Sequence, residues 1–199
     1  SAHPLLEPFI HEQDIHTVFG DGDVSDSDGH GTGMAGVALY HDLNQSLLSL
    51  DTISIPYRIE SSKILRNQKN DPELYGAITA QGILFNEIEN PNKDRSICMA
   101  VTTDATDGLP TSWSGAIDEI VAGVNIFGAD NENKRLMLIS AGNVELSELR
   151  DIKYPEVNIN SYVQNPGQSW NALTVGAYNS KIQIEDTDFL DCHPVADVG

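Results

Sequence analysis

Two short apolar runs limit what this chain can become. SICMAVT at 96–102 and LMLISA at 136–141 carry few polar side chains, the pattern of strands covered on both faces. Between them, Trp113 to Phe127 sets Ile117, Ile120, Val121 and Val124 on one helical stripe. Ser112 or Ser114 is placed to cap that helix, and Asp118 and Glu119 near its start suit the helix dipole. Upstream, Leu74, Ala77, Ile78, Leu84, Phe85 and Ile88 keep helical spacing, with Gln81 the polar exception. Ile53 to Leu65 holds β-branched and aromatic residues broken by Pro56, as in one or two short strands. Leu173 to Tyr178 reads as a further strand. His30 to about Leu43 reads as a short helix whose Gly33, Ala35, Gly36 and Ala38 permit close packing. This alternation predicts an α/β domain with a mostly parallel sheet flanked by helices.

The 199 residues suit one sizeable domain or most of a larger one, and no repeat or linker divides them. Thirty acidic residues against eleven basic ones give a formal charge of -19. Such a field repels phosphate backbones and anionic lipid, which argues against nucleic acid and membrane surfaces as partners. No apolar run approaches the roughly 18 residues that span a bilayer. SAHPLLEPF begins abruptly without a signal-peptide pattern, so the true N-terminus is expected outside the chain. Cys98 and Cys192 do not make a disulfide framework. Cys98, inside ICMAV, reads as a buried thiol, and a reducing, cytoplasmic setting is the better expectation.

Chemistry concentrates at two places. In DSDGHGTGMAGV (26–37), His30 stands between two glycines at a helix start. An imidazole there can act as general base, general acid or metal ligand, and the glycines keep the ring uncrowded. A histidine that merely opens a helix is the commoner case. The other histidines (His3, His11, His16, His41, His193) show no zinc-type spacing, so no metal site is expected. The second place is Asn143, directly after the run LMLISAG. An amide just past a strand can donate to an oxyanion, although Gly-Asn is also a common turn pair with left-handed Asn. Sites in open α/β sheets gather beyond the carboxyl ends of strands, which brings the two residues under one consideration. Asp21, Asp23, Asp26 and Asp28 invite a calcium reading. An EF-hand loop needs a glutamate at its twelfth position, and counting from Asp21 or Asp23 reaches Thr32 or Met34. A solvated acidic loop is the better reading, with a charge that favours a protonated imidazole nearby.

Taken in order along the chain, HGTGMAG (30–36) and SAGN (140–143) resemble the subtilisin-like serine peptidases, the subtilase family. The family's histidine block reads His-Gly-Thr-x-[Met/Val]-Ala-Gly, and residues 30–36 match every fixed position. HPLL (3–6), SICMAVTT (96–103) and NALTVGAYN (171–179) resemble the family more softly. The resemblance implies a subtilisin-like three-layer domain, with 1–199 as the central portion of it. It makes His30 the general base and Asn143 the side-chain donor of the oxyanion hole. Ala100, Val101 and Thr102 would line the substrate cleft, and Ala141 and Gly142 would wall the pocket before the scissile bond. Polypeptide is the implied substrate and no cofactor is implied. Many subtilases bind calcium, but no residue set here maps to such a site.

The chain departs from the family at two motifs. Neither Asp-[Ser/Thr]-Gly nor Gly-Thr-Ser-x-Ala occurs; Asp14, Asp21, Asp23, Asp26 and Asp28 all lie in other contexts. The resemblance therefore implies a serine endopeptidase whose Asp and Ser are supplied outside these residues, and an isolated chain without activity. The alternative is a non-catalytic subtilase-like domain used for binding or scaffolding. An esterase serine at Ser114 is disfavoured, because SWSGA lacks the leading glycine of a nucleophile elbow.

Overall fold

The computed structural model describes residues 3–66, 70–103, 107–124, 133–144, 155–178, 183–184 and 188. They fall into two compact units, Ser1–Asp94 and Arg95–Gly199.

In the first unit, strand β1 (Ile10–Thr17) pairs in parallel with β2 (Ile59–Lys63). The register runs from Ile15↔Ser61 to Thr17↔Lys63, with an irregularity between Ile10 and Ile15. Helix α1 (His30–Tyr40) and the short α2 (Leu43–Leu48) lie between the strands in sequence. The expected single helix to Leu43 breaks because His41 adopts φ 55. Asp42 then caps α2, its carboxylate accepting from the Asn44 and Gln45 amides.

Helix α3 (Tyr75–Glu89) forms where the periodicity places it, but it buries a different face. Leu74 and Ile88 are exposed, while Thr79, Gly82 and Asn86 are buried. The reason is close approach to β2 and the residue beyond it. A Cβ at Gly82 would lie 2.8 Å from Ile64 Cγ2 and 3.5 Å from Ser62 Cβ. Ser62 Oγ donates to the Gly82 carbonyl at 2.6 Å and accepts from Asn86 Nδ2 at 3.1 Å. Small and amide side chains let the backbones meet, and hydrogen bonds offset the polar burial. Fully buried Asp14 on β1 is held by Asn90 Nδ2 (3.0 Å) and Lys93 Nζ (3.5 Å). Lys93 also reaches Glu60 at 3.2 Å.

In the second unit, β3 (Ser96–Met99), β4 (Leu136–Ser140) and β5 (Leu173–Val175) form a parallel sheet in that order. Ser96 faces Leu136, and Leu138 faces Leu173. Helix α4 (Ser112–Ala122) buries Trp113, Ile117, Ile120 and Val121, and Met99, Met137 and Ile139 are buried with them. The expected stripe holds to Val121, whereas Val124 is exposed and Phe127 lies outside the described residues. Thr111 caps α4, with Ser114 completing a capping box and Gly123 closing the helix at φ 77. A short α5 (Glu156–Asn160) precedes β5.

Both sheets are parallel and alternate with helices, the α/β class that the sequence predicts. The expectation of strands covered on both faces fails for β3 and β4, where Cys98 and Leu136 are exposed; on β5, Leu173 and Val175 are exposed as well. Strand alternation sends Met99 to the core and Cys98 to the opposite face. Partial desolvation still raises the Cys98 thiol above its ordinary pKa.

Candidate active site

His30 is the first residue of α1, and it is solvent-exposed. Gly29 precedes it at φ 83, a left-handed conformation that side chains rarely adopt. Asp28 Oδ1 accepts from the His30 amide at 2.9 Å. Asp26 does more. Its carboxylate accepts from the Gly29 amide (3.1 Å) and the Thr32 amide (2.7 Å). It thereby caps the helix turn that carries the imidazole. Bonding to the Thr32 hydroxyl and amide holds the Asp26 pKa below its ordinary value. Acidic residues that read as a solvated loop thus include the brace of the histidine turn.

The rest of that loop is tied down by cations. Asp23 meets Lys63 Nζ at 2.7 Å and Ser25 Oγ at 2.6 Å, and these bonds lower its pKa. Asp21 meets Arg66 at 2.5 Å, and Arg66 also sits 3.9 Å above the Phe19 ring. Among the described residues, no group of three or more His, Cys, Asp or Glu could hold a metal ion.

The small residues of α1 do not pack as expected. A Cβ at Gly33 or Gly36 would meet nothing within 4 Å. The helix is anchored at its far end. Leu39 is buried, Tyr40 Oη donates to the Leu5 carbonyl at 2.7 Å, and Tyr57 Oη donates to the Ala38 carbonyl at 2.9 Å.

In the second unit, the sequence-predicted residues converge beyond the carboxyl ends of adjacent strands. Ala100, Val101 and Thr102 follow β3; Ala141, Gly142 and Asn143 follow β4. Ala141 is pinned on two sides, its amide donating to the Val175 carbonyl (2.9 Å) and its carbonyl accepting from the Gln164 amide (2.8 Å). Gly142 adopts φ 109, and a Cβ there would lie 2.5 Å from Gln164 Cγ and Oε1. Asn143 is not left-handed, so the turn reading of Gly-Asn fails at the asparagine. Its side chain is exposed, and among the described residues no hydrogen bond engages its Oδ1 or Nδ2, the bonds to Asn143 being to its backbone.

Sequence reasoning missed Gln164 and Asn165. Gln164 Oε1 accepts from Thr102 Oγ1 (2.8 Å) and from the Asn143 amide (3.2 Å), while Nε2 donates to the Asn143 carbonyl (2.9 Å). The Asn165 carbonyl accepts from the Thr103 amide at 2.8 Å. Its side chain donates to Thr103 Oγ1 and accepts from Thr111 Oγ1. Asn165-Pro166-Gly167 is a turn signal that could have marked the place, though not these partners. Ser114 is 1% exposed, and its hydroxyl is spent on the Thr111 backbone, which removes it as a nucleophile.

The sequence profile of the subtilase family matches residues 1–189. The chain belongs to the subtilase family. No curated protein and no solved structure is matched by it. Subtilases are serine peptidases, so the chemistry at hand is that of a serine peptidase and the substrate class is polypeptide. No described helix of this subtilase is long and apolar enough to cross a membrane.

Proposed function

We propose that this subtilase is the central portion of one serine endopeptidase domain, residues 1–199, that hydrolyses peptide bonds with an Asp-His-Ser triad. His30 is the general base, and Asn143 is the side-chain donor to the oxyanion. The aspartate and the nucleophilic serine come from sequence outside these residues. The observation that carries the reading is Asn143: its peptide is pinned just past β4 while its side-chain amide is left available.

In this mechanism His30 takes the proton of the serine hydroxyl as its oxygen attacks the carbonyl carbon. The carbonyl oxygen becomes an oxyanion, and Asn143 Nδ2 donates to it. His30 then returns the proton to the amine that leaves as the peptide C–N bond breaks, and water releases the acyl group by the reverse proton path. Ala100, Val101 and Thr102 pair with the extended substrate, and Ala141 and Gly142 wall the pocket for the residue before the scissile bond. No metal or cofactor takes part. The isolated chain lacks two of the three triad groups and is inactive.

The test compares the complete gene product with the 199-residue chain on a quenched fluorogenic peptide. The reading frame should carry Asp-[Ser/Thr]-Gly before Ser1 and Gly-Thr-Ser-x-Ala after Gly199. The complete protein should cleave, and His30→Ala should abolish cleavage. Hydrolysis by the isolated chain that His30→Ala removes would overturn the division of the triad. A reading frame without either motif would make the chain a non-catalytic binding or scaffolding relative.

A further inference from the structure

An oxyanion donor is effective only if it is aimed before charge develops, because reorganising it during the reaction consumes the gain. The side-chain amide of Asn143 hangs from a backbone that follows a left-handed glycine at φ 109, so something must hold that backbone. Three observations converge on Gln164. Its side-chain amide bonds both polar groups of Asn143, accepting from the amide at 3.2 Å and donating to the carbonyl at 2.9 Å. These two bonds form a closed ring like a strand pair, which fixes the direction of the Asn143 Cα–Cβ bond and leaves only the side-chain torsions to settle. The same Oε1 accepts from Thr102 Oγ1 at 2.8 Å, so the substrate-lining segment is held to the oxyanion segment by one side chain. Gly142 is fitted to it: any Cβ there would overlap Gln164 Cβ, Cγ and Oε1 at 2.5–2.6 Å.

We propose that Gln164 is a positioning residue for catalysis, orienting the Asn143 amide towards the oxyanion and coupling it to Thr102. The proposal rests on the assignment of Asn143 as oxyanion donor. Glutamine is suited to the task because one amide supplies an acceptor and a donor together. A glutamate would set a carboxylate oxygen against the Asn143 carbonyl and bring negative charge close to the forming oxyanion.

The test uses the complete enzyme with Gln164→Met, which keeps the length and volume and loses all three side-chain bonds. We expect kcat to fall about 10- to 100-fold, the scale of a displacement near 1 Å at a catalytic group, with KM within about threefold. In an Asn143→Ala background the same substitution should cost nothing further, because the group it aims is gone. Hydrogen exchange at the Asn143 amide should quicken in Gln164→Met. Thr102→Val, which deletes one of the three bonds, should give a smaller fall in kcat and serves if Gln164→Met does not fold. Wild-type kcat in Gln164→Met, an equal loss in both backgrounds, or unchanged exchange would overturn the proposal while leaving the oxyanion assignment intact. Full activity in Asn143→Ala alone would overturn that assignment, and the positioning role with it.

Discussion

At the scale of single residues, much of the chemistry is set by carboxylates and amides that hold backbone. Asp26 is the clearest case, since one side chain satisfies the Gly29 and Thr32 amides at the start of the His30 helix. Its folded pKa lies below the ordinary 3.8, so the ionised form is preferred in the folded state. Its contribution to stability is therefore fully present above 3.8 and is lost as pH falls through the depressed folded value. Protection of the Gly29 and Thr32 amides from exchange, taken relative to the intrinsic rate at each pH, should be high above that window and fall below it. Asp26→Asn should quicken exchange at higher pH and flatten the pH dependence. Identical exchange profiles for the two proteins would dismiss the brace. Gly142 is a second case, its φ of 109 combining with the Gln164 side chain at 2.5 Å. Gly142→Ala should lower stability by about 1–3 kcal/mol in a urea melt and lower kcat in the complete enzyme. A stability equal to wild type would mean that the turn tolerates a side chain.

At the scale of elements, α4 is secured to the turn before β5 through Asp118. One carboxylate oxygen accepts from Ser169 Oγ (2.6 Å), the Trp170 amide (2.7 Å) and the Asn171 amide (2.7 Å). Bonds to a charged acceptor are worth about 1.5–3 kcal/mol each at best, and partial exposure of Asp118 reduces that. Asp118→Ala should cost about 2 kcal/mol by urea denaturation, and a loss indistinguishable from zero would reduce the contact to surface decoration. The sequence pattern placed Asp118 by the helix dipole, a weaker effect than the one it has. Similar partial legibility runs through the other elements. The existence of α3 and α4 follows from periodicity, because a stripe of apolar residues must face something, and that of β3 and β4 from continuous apolar runs. Periodicity cannot tell which face wins when small and polar residues allow closer approach, so α3 buries Thr79, Gly82 and Asn86 instead of Leu74 and Ile88. As candidates, His30 and Asn143 were legible because each stands at the end of a recognisable run. Gln164 was not, because its partners lie 21 and 62 residues away and nothing local marks them.

At the scale of the whole molecule, the dominant fact is a formal charge of -19. Cations are few, and several of them are already spent: Lys63 on Asp23, Arg66 on Asp21, and Lys93 on Asp14 and Glu60. Added salt acts on both sides of this balance. It weakens these mostly exposed pairs. It also screens repulsion among the excess acids, which acts over the whole surface. The Debye length falls from roughly 30 Å at 0.01 M to about 8 Å at 0.15 M, so long-range repulsion is lost first while contacts near 3 Å persist. Net self-repulsion destabilises a compact state more than an expanded one. The midpoint of thermal unfolding should therefore rise as sodium chloride increases from about 0.01 to 0.15 M, across that change in screening. Lys93→Met should respond differently, since it leaves the buried Asp14 carboxylate without its cation. Removing one partner of a buried pair costs about 3–5 kcal/mol, discounted here because Lys93 is itself 42% exposed, and screening by salt does not restore it. A wild-type midpoint that falls with salt would show that the specific pairs outweigh the repulsion.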